Sequence, residues 1–152
     1  MAQTSFSSPI GPILLRADGD ALVSVHIGPG PGEDADPLLR EVTAQLSAWF
    51  AGRLRRFDLP LASPGTPKGA AHREAIAAIP FGETASYGAI ARSIGSSPRA
   101  VGQACRRNPF PIIIPCHRVV AAGGAIGYYS GGHGITTKLW LLDHEQQFTA
   151  KG

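Results

Sequence analysis

Ser86-Tyr87-Gly88-Ala89-Ile90-Ala91-Arg92-Ser93-Ile94-Gly95-Ser96-Ser97-Pro98-Arg99-Ala100-Val101-Gly102 is the stretch that decides the fold of the second half of the chain. Ser86 can cap a helix over residues 87–94, with Ile90 and Ile94 on one face. Gly95-Ser96-Ser97 makes a tight turn, and Ser97 followed by Pro98 opens a second helix that runs to Arg107. Two short helices around a glycine-containing turn are the helix-turn-helix signature. In the second helix Ala100, Gly102 and Ala104 are small enough for a partner's backbone to approach, and Arg99, Arg106 and Arg107 supply positive charge. Val101, Ala104 and Cys105 share a face that can pack inward. A surface helix with solvated arginines is the plainer reading of the same residues.

Upstream, a further helix is expected over residues 70–78, ending before Pro80-Phe81-Gly82. Ser63-Pro64-Gly65-Thr66-Pro67 reads as a linker and divides the chain into domains 1–63 and 64–152. The first domain reads as α/β. Ile13-Leu14-Leu15 and residues 22–27 look like strands joined through Ala17-Asp18-Gly19-Asp20, and residues 28–36 form an exposed loop. Leu38, Val42, Leu46, Trp49 and Phe50 recur near helical spacing over residues 37–51, and residues 57–61 are a short strand candidate. None of this carries obvious chemistry, so the first domain reads as a support.

Downstream, Cys116 lies between Ile112-Ile113-Ile114-Pro115 and His117-Arg118-Val119-Val120. A thiol flanked by an imidazole and a guanidinium is a candidate nucleophile, because nearby positive charge lowers its ordinary pKa of ~8.5 toward neutrality. A buried strand containing one cysteine explains the tripeptide equally well. Residues 139–145 read as an apolar helix ending in acid. Glu145 is the best candidate to orient His117, since an imidazole needs an acceptor to act as a general base. A cysteine–histidine–acid set also fits a cysteine hydrolase, so these residues alone leave the mechanism open. Cys105 reads as a buried small hydrophobe with a role separate from Cys116. His26, His72 and His133 have no compelling partners by spacing, and two unclustered cysteines argue against a metal site.

The 152-residue chain carries 14 Lys/Arg and 11 Asp/Glu, a net +3, unevenly spread. Residues 1–63 hold five basic and seven acidic side chains (−2), and residues 64–152 hold nine and four (+5). A basic half with a reactive cysteine fits a polyanionic partner. No apolar run approaches the ~20 residues of a membrane span, the start lacks a secretory pattern, and two cysteines suit a reducing cytoplasm.

Seven segments in order carry a family resemblance: Ser8-Pro9-Ile10-Gly11-Pro12, Ile79-Pro80-Phe81-Gly82-Glu83-Thr84 with Ser86-Tyr87, Arg99-Ala100-Val101-Gly102, Asn108-Pro109, Pro115-Cys116-His117-Arg118-Val119, Gly127-Tyr128-Tyr129-Ser130-Gly131-Gly132, and Leu141-Leu142-Asp143-His144-Glu145. The chain resembles the methylated-DNA–protein-cysteine methyltransferases, also called O6-alkylguanine-DNA alkyltransferases, nearly continuously from residue 64 to 147. The resemblance implies a ribonuclease-H-like α/β N-terminal domain and a mainly α, winged helix-turn-helix-like C-terminal domain. It implies a cytoplasmic, monomeric protein that binds double-stranded DNA containing O6-alkylguanine, or O4-alkylthymine, through the minor groove, without cofactor or metal. Cys116 then resembles the alkyl acceptor, consumed once per molecule. His117 takes the thiol proton through a water, Glu145 holds the imidazole, Tyr87 protonates the departing base, and Asn108 braces the active-site turn. Arg99 resembles the finger that replaces the flipped nucleotide. Ala100 and Gly102 permit close approach, Arg106 lies near the backbone, and Tyr129, Ser130 and Gly131 resemble the loop over the extrahelical base.

Large anchors of many relatives are replaced in the first helix by Lys68, Gly69, His72 and Arg73, so this helix is expected to pack loosely. An alkyl-lesion sensor that binds without reacting is the competing reading. Sensors of that kind lack the reactive cysteine, which is present here.

Overall fold

The computed structural model describes residues 1–127, 129 and 131–151, without the side chains of residues 150 and 151. The chain divides into two compact units, Met1–Ala62 and Ser63–Gly152. No helix among the described residues is long and apolar enough to cross a membrane.

The first unit is a three-stranded antiparallel sheet, in the order β1 (Ala2–Ser8), β2 (Gly11–Asp18), β3 (Ala21–Ile27), covered by α1 (Pro37–Phe50). The central strand is buried on both faces at Ile13, Leu14, Leu15 and Ala17, which explains its unbroken apolar reading. Strand β1 carries the polar run Gln3-Thr4-Ser5, shows no apolar alternation, and escapes pattern reading. Asp36 caps α1 by accepting from the Leu39 amide at 3.0 Å, and Pro37 fills the first position. The helix then buries Leu39, Val42, Leu46 and Trp49 on one face. The strand expected over residues 57–61 reduces to one bridge, Leu61 to Leu22, because Pro60 has no amide to extend a ladder.

The second unit comprises α2 (Pro67–Ala77), β4 (Ala85–Ser86), α3 (Tyr87–Ser93), α4 (Pro98–Arg106), β5 (Val119–Val120) and α5 (Ile135–Lys151). Helix α2 starts before the expected residue 70 because Thr66 Oγ1 accepts from the Gly69 amide at 3.0 Å and Pro67 continues the turn. Helix α2 buries two side chains, His72 and Ile76. His72 is buried, with Nδ1 bonded to the Lys68 carbonyl and Nε2 to Ser96 Oγ, both at 2.8 Å. Ile76 is buried beside it, and the Arg73 guanidinium lies 5.2 Å from the Phe110 ring centre. Polar side chains, His72 and Arg73, thus contribute contacts in the segment that lacks the large anchors.

Helices α3 and α4 pack on each other, and Ile90, Ala91 and Val101 are their buried side chains. Each has the serine cap its sequence announces: Ser86 Oγ accepts from the Ala89 amide at 3.0 Å, and Ser97 Oγ from the Ala100 amide at 3.1 Å. Gly95, at φ 64°, makes the left-handed turn between them.

Candidate active site

The chain from Asn108 to Val120 folds around one asparagine. Asn108 Oδ1 accepts from the Phe110 amide at 3.0 Å, while Nδ2 donates to the Ile114 carbonyl at 3.0 Å and to Cys116 Sγ at 3.3 Å. Within this turn Ile112 is buried at φ 75°, a left-handed conformation that costs a β-branched residue roughly 1–3 kcal/mol. Cys116, His117 and Arg118 then form a single 3-10 turn with all three side chains buried. The bland reading of residues 112–120 as a continuous strand fails, since only Val119 and Val120 are extended. They pair in parallel with Ala85 and Ser86, a pairing that brings the start of α3, and so Tyr87, toward the cysteine segment.

His117 Nε2 meets Glu145 Oε2 at 2.7 Å with both side chains almost sealed from solvent. Glu145 also accepts from Arg118 Nε at 3.0 Å, from Arg118 Nη2 at 2.8 Å and from the Gly82 amide at 3.1 Å. Arg118 Nη1 donates to the Ile79 carbonyl at 2.7 Å. Burial acts to raise the Glu145 pKa, but the bonds and charges of His117 and Arg118 bring it down to about 2. Burial pushes His117 the other way, toward the neutral imidazole, against the pull of Glu145.

Cys116 is held well above the usual thiol range, by the adjacent Cys105 thiol first and by burial second, opposed by Asn108 and Lys138. The resting nucleophile is therefore a thiol that needs a base. The Tyr87 phenol is half-buried and raised by burial and by the two cysteines, so it stays a proton donor at neutral pH. Tyr129 is buried and raised likewise, and its hydroxyl has no hydrogen-bond partner among the described residues. Gly127, at φ 74°, lies against both Tyr87 and Lys138: a Cβ there would stand 3.4 Å from the Tyr87 ring and 3.6 Å from Lys138 Nζ.

Arg99 and Arg106 are exposed on α4, and a Cβ added at Gly102 would meet nothing within 4 Å. Ala100 and Gly131 are half-buried, and Ser130 lies outside the described residues. Three participants escaped sequence reasoning. Lys138, completely buried, donates to the Val119 carbonyl at 2.7 Å, and a lysine just ahead of an apolar run gave no signal for this. Arg118 could have been suspected from its place beside the cysteine. Cys105 is neither fully buried nor separate in its surroundings: it is half-buried beside Cys116, because the end of α4 runs directly into the Asn108 turn. Among the described residues no group of three or more His, Cys, Asp or Glu could hold a metal ion.

The two units match the two domains of one class of DNA-modifying protein. Residues 1–63 match the family described as 6-O-methylguanine DNA methyltransferase, ribonuclease-like domain, and residues 70–147 match its DNA binding domain. A Methanosarcina acetivorans protein named methylated-DNA–protein-cysteine methyltransferase is 42% identical over 91% of this chain and 95% of its own length. A Mycobacterium leprae protein of the same name is 39% identical over 93% and 90%. The structure of Mycobacterium tuberculosis OGT in complex with DNA superposes with a TM-score of 0.85 at 36% identity, over 97% of this chain and 94% of that one. The chain belongs to the methylated-DNA–protein-cysteine methyltransferase family.

Proposed function

We propose that the protein repairs O6-alkylguanine in duplex DNA by transferring the alkyl group irreversibly to Cys116. The observation that carries this reading is a buried thiol next to an imidazole that is itself bonded to a buried carboxylate at 2.7 Å, in a chain of this family. His117 accepts the Cys116 proton through a water, and Glu145 stabilises the resulting imidazolium. The thiolate attacks the alkyl carbon, a carbon–sulfur bond forms, and the carbon–O6 bond breaks with its electron pair passing to guanine. Tyr87 supplies a proton to the departing base. No thiol is regenerated, so one molecule repairs one lesion, with no cofactor.

Asn108 positions the sulfur, and Tyr129 and Gly131 enclose a base that has left the helix. The open surface at Gly102 and the half-buried Ala100 support an approach of α4 to the minor groove, with Arg99 filling the vacated place in the duplex and Arg106 near a phosphate. In this reading residues 1–63 are a ribonuclease-H-like support, residues 64–152 a winged helix-turn-helix-like domain, and the protein works as a cytoplasmic monomer.

Incubation with duplex DNA carrying labelled O6-methylguanine, beside a Cys116→Ser variant, tests the reading. The expected result is about one label per molecule, mapped to Cys116 and absent in the variant. Tight lesion binding by folded, reduced protein without any transfer would replace it with the sensor reading.

A further inference from the structure

Helix α2 reaches the cysteine segment through Arg73, whose guanidinium lies 5.2 Å from the centre of the Phe110 ring. Phe110 is completely buried, and its amide donates to Asn108 Oδ1 at 3.0 Å. That bond decides which way the asparagine amide faces. With Oδ1 engaged, Nδ2 is turned to donate to the Ile114 carbonyl at 3.0 Å and to Cys116 Sγ at 3.3 Å. A guanidinium on α2 thus stands three contacts from the sulfur. Its own place is fixed by the helix. Thr66 caps α2, His72 and Ile76 are buried on either side of Arg73, and His72 is tied to Ser96 Oγ at 2.8 Å.

The turn from Asn108 to Cys116 needs a hold from outside. The Asn108 amide donates to the Cys105 carbonyl and the Ile114 amide to the Phe110 carbonyl, bonds that join residues of one short segment. The turn also contains Ile112 at φ 75°, and backbone of that kind persists only where its surroundings over-determine it. A cation over an aromatic face is attracted by the ring's quadrupole, more strongly when it is desolvated. Arg73 is half-buried, and burial pulls its pKa down, the mark of a guanidinium partly withdrawn from water.

We propose that Arg73 is a positioning residue for alkyl transfer: by holding Phe110 it fixes the Asn108 amide that donates to the Cys116 sulfur. The inference rests on Cys116 being the alkyl acceptor. A hydrogen bond donated to sulfur favours thiolate over thiol. Asn108 thereby opposes the rise that Cys105 and burial impose on the Cys116 thiol. Loosening Phe110 lets the amide turn, and the sulfur loses a donor that it needs as its proton departs.

The test uses the full-length reduced protein and reads two rates against pH. One is alkylation of Cys116 by iodoacetamide, located by peptide mapping; the other is methyl transfer from duplex DNA carrying labelled O6-methylguanine. In Arg73→Gln the midpoint of the iodoacetamide profile should rise by about half a pH unit, a roughly threefold loss of rate at neutral pH, with a matching loss of transfer. Arg73→Lys keeps a cation over the ring and should recover most of both. His72→Ala loosens the same helix at its bond to Ser96, so well below its melting midpoint its profile should match the unsubstituted protein. Adding Arg73→Gln to Asn108→Ala should slow neither reaction further. An unmoved profile in Arg73→Gln, an equal shift in His72→Ala, or a second loss in the double variant would overturn the proposal. Iodoacetamide reports on the sulfur without DNA. A protein that shows the shift but transfers no methyl group would therefore sink the repair reading and leave the positioning of Cys116 standing.

Discussion

Glu145 answers to three partners at once, and its removal should be felt in all of them. Glu145→Gln leaves the buried Arg118 guanidinium without its counter-charge, a change expected to cost about 3–5 kcal/mol in a denaturant melt at neutral pH. It should also slow methyl transfer, since His117 loses the acceptor that stabilises its charged form. The native protein should in turn be acid-sensitive. Glu145 falls from an ordinary 4.5 to about 2 on folding, so its stabilisation is complete above 4.5 and is lost as pH falls toward 2, by at most roughly 3 kcal/mol. His117, which burial keeps neutral, pushes in the same direction once pH falls below its ordinary 6.5. Melts between pH 7 and 3 should show this decline, and Glu145→Gln should flatten its lower part. At this scale the sequence made the His117–Glu145 pairing legible, because an apolar helix ending in acid had to bring its carboxylate to something. Lys138 and Cys105 were not legible, since their roles depend on where α4, β5 and α5 stop relative to one another.

Helix α4 shows how an element can be suited to something outside the chain. A glycine inside a helix costs about 1 kcal/mol relative to alanine, and nothing inside the protein requires one at position 102. Gly102→Ala should therefore stabilise the protein by up to about 1 kcal/mol in thermal melts while weakening its affinity for duplex DNA. Unchanged affinity would mean that α4 does not come so close. On α2, His72→Ala should cost about 1–3 kcal/mol, because it removes a buried imidazole together with its bonds to Ser96 and the Lys68 carbonyl. Elements with caps or a clear apolar period, α1, α3 and α4, were readable within a few residues of their ends. Strand β1 was not, because its stability comes from pairing with β2 rather than from its own polar side chains. The polar docking of α2 was equally hidden, since no periodicity distinguishes a buried histidine from a surface one.

Across the whole molecule, charge divides as the structural units do, with −2 before residue 64 and +5 after it. Affinity for undamaged duplex should fall steeply with salt, and Arg106→Ala should reduce the slope of log K against log salt by about 0.9 if that side chain neutralises one phosphate. A filter-binding series at several salt concentrations measures it. An unchanged slope would remove Arg106 from the phosphate contacts.

Lys138 and Glu145, on α5, hold the two ends of one short segment: Lys138 takes the Val119 carbonyl, and Glu145 takes the side chains of His117 and Arg118. They are seven residues apart, close to two helical turns or about 10 Å along one face. The helix acts as a ruler with two marks. One residue inserted or deleted between them would rotate one mark by about 100° relative to the other, and one end of the segment would lose its hold. Surface positions between the marks are free to change in identity, but their number is fixed.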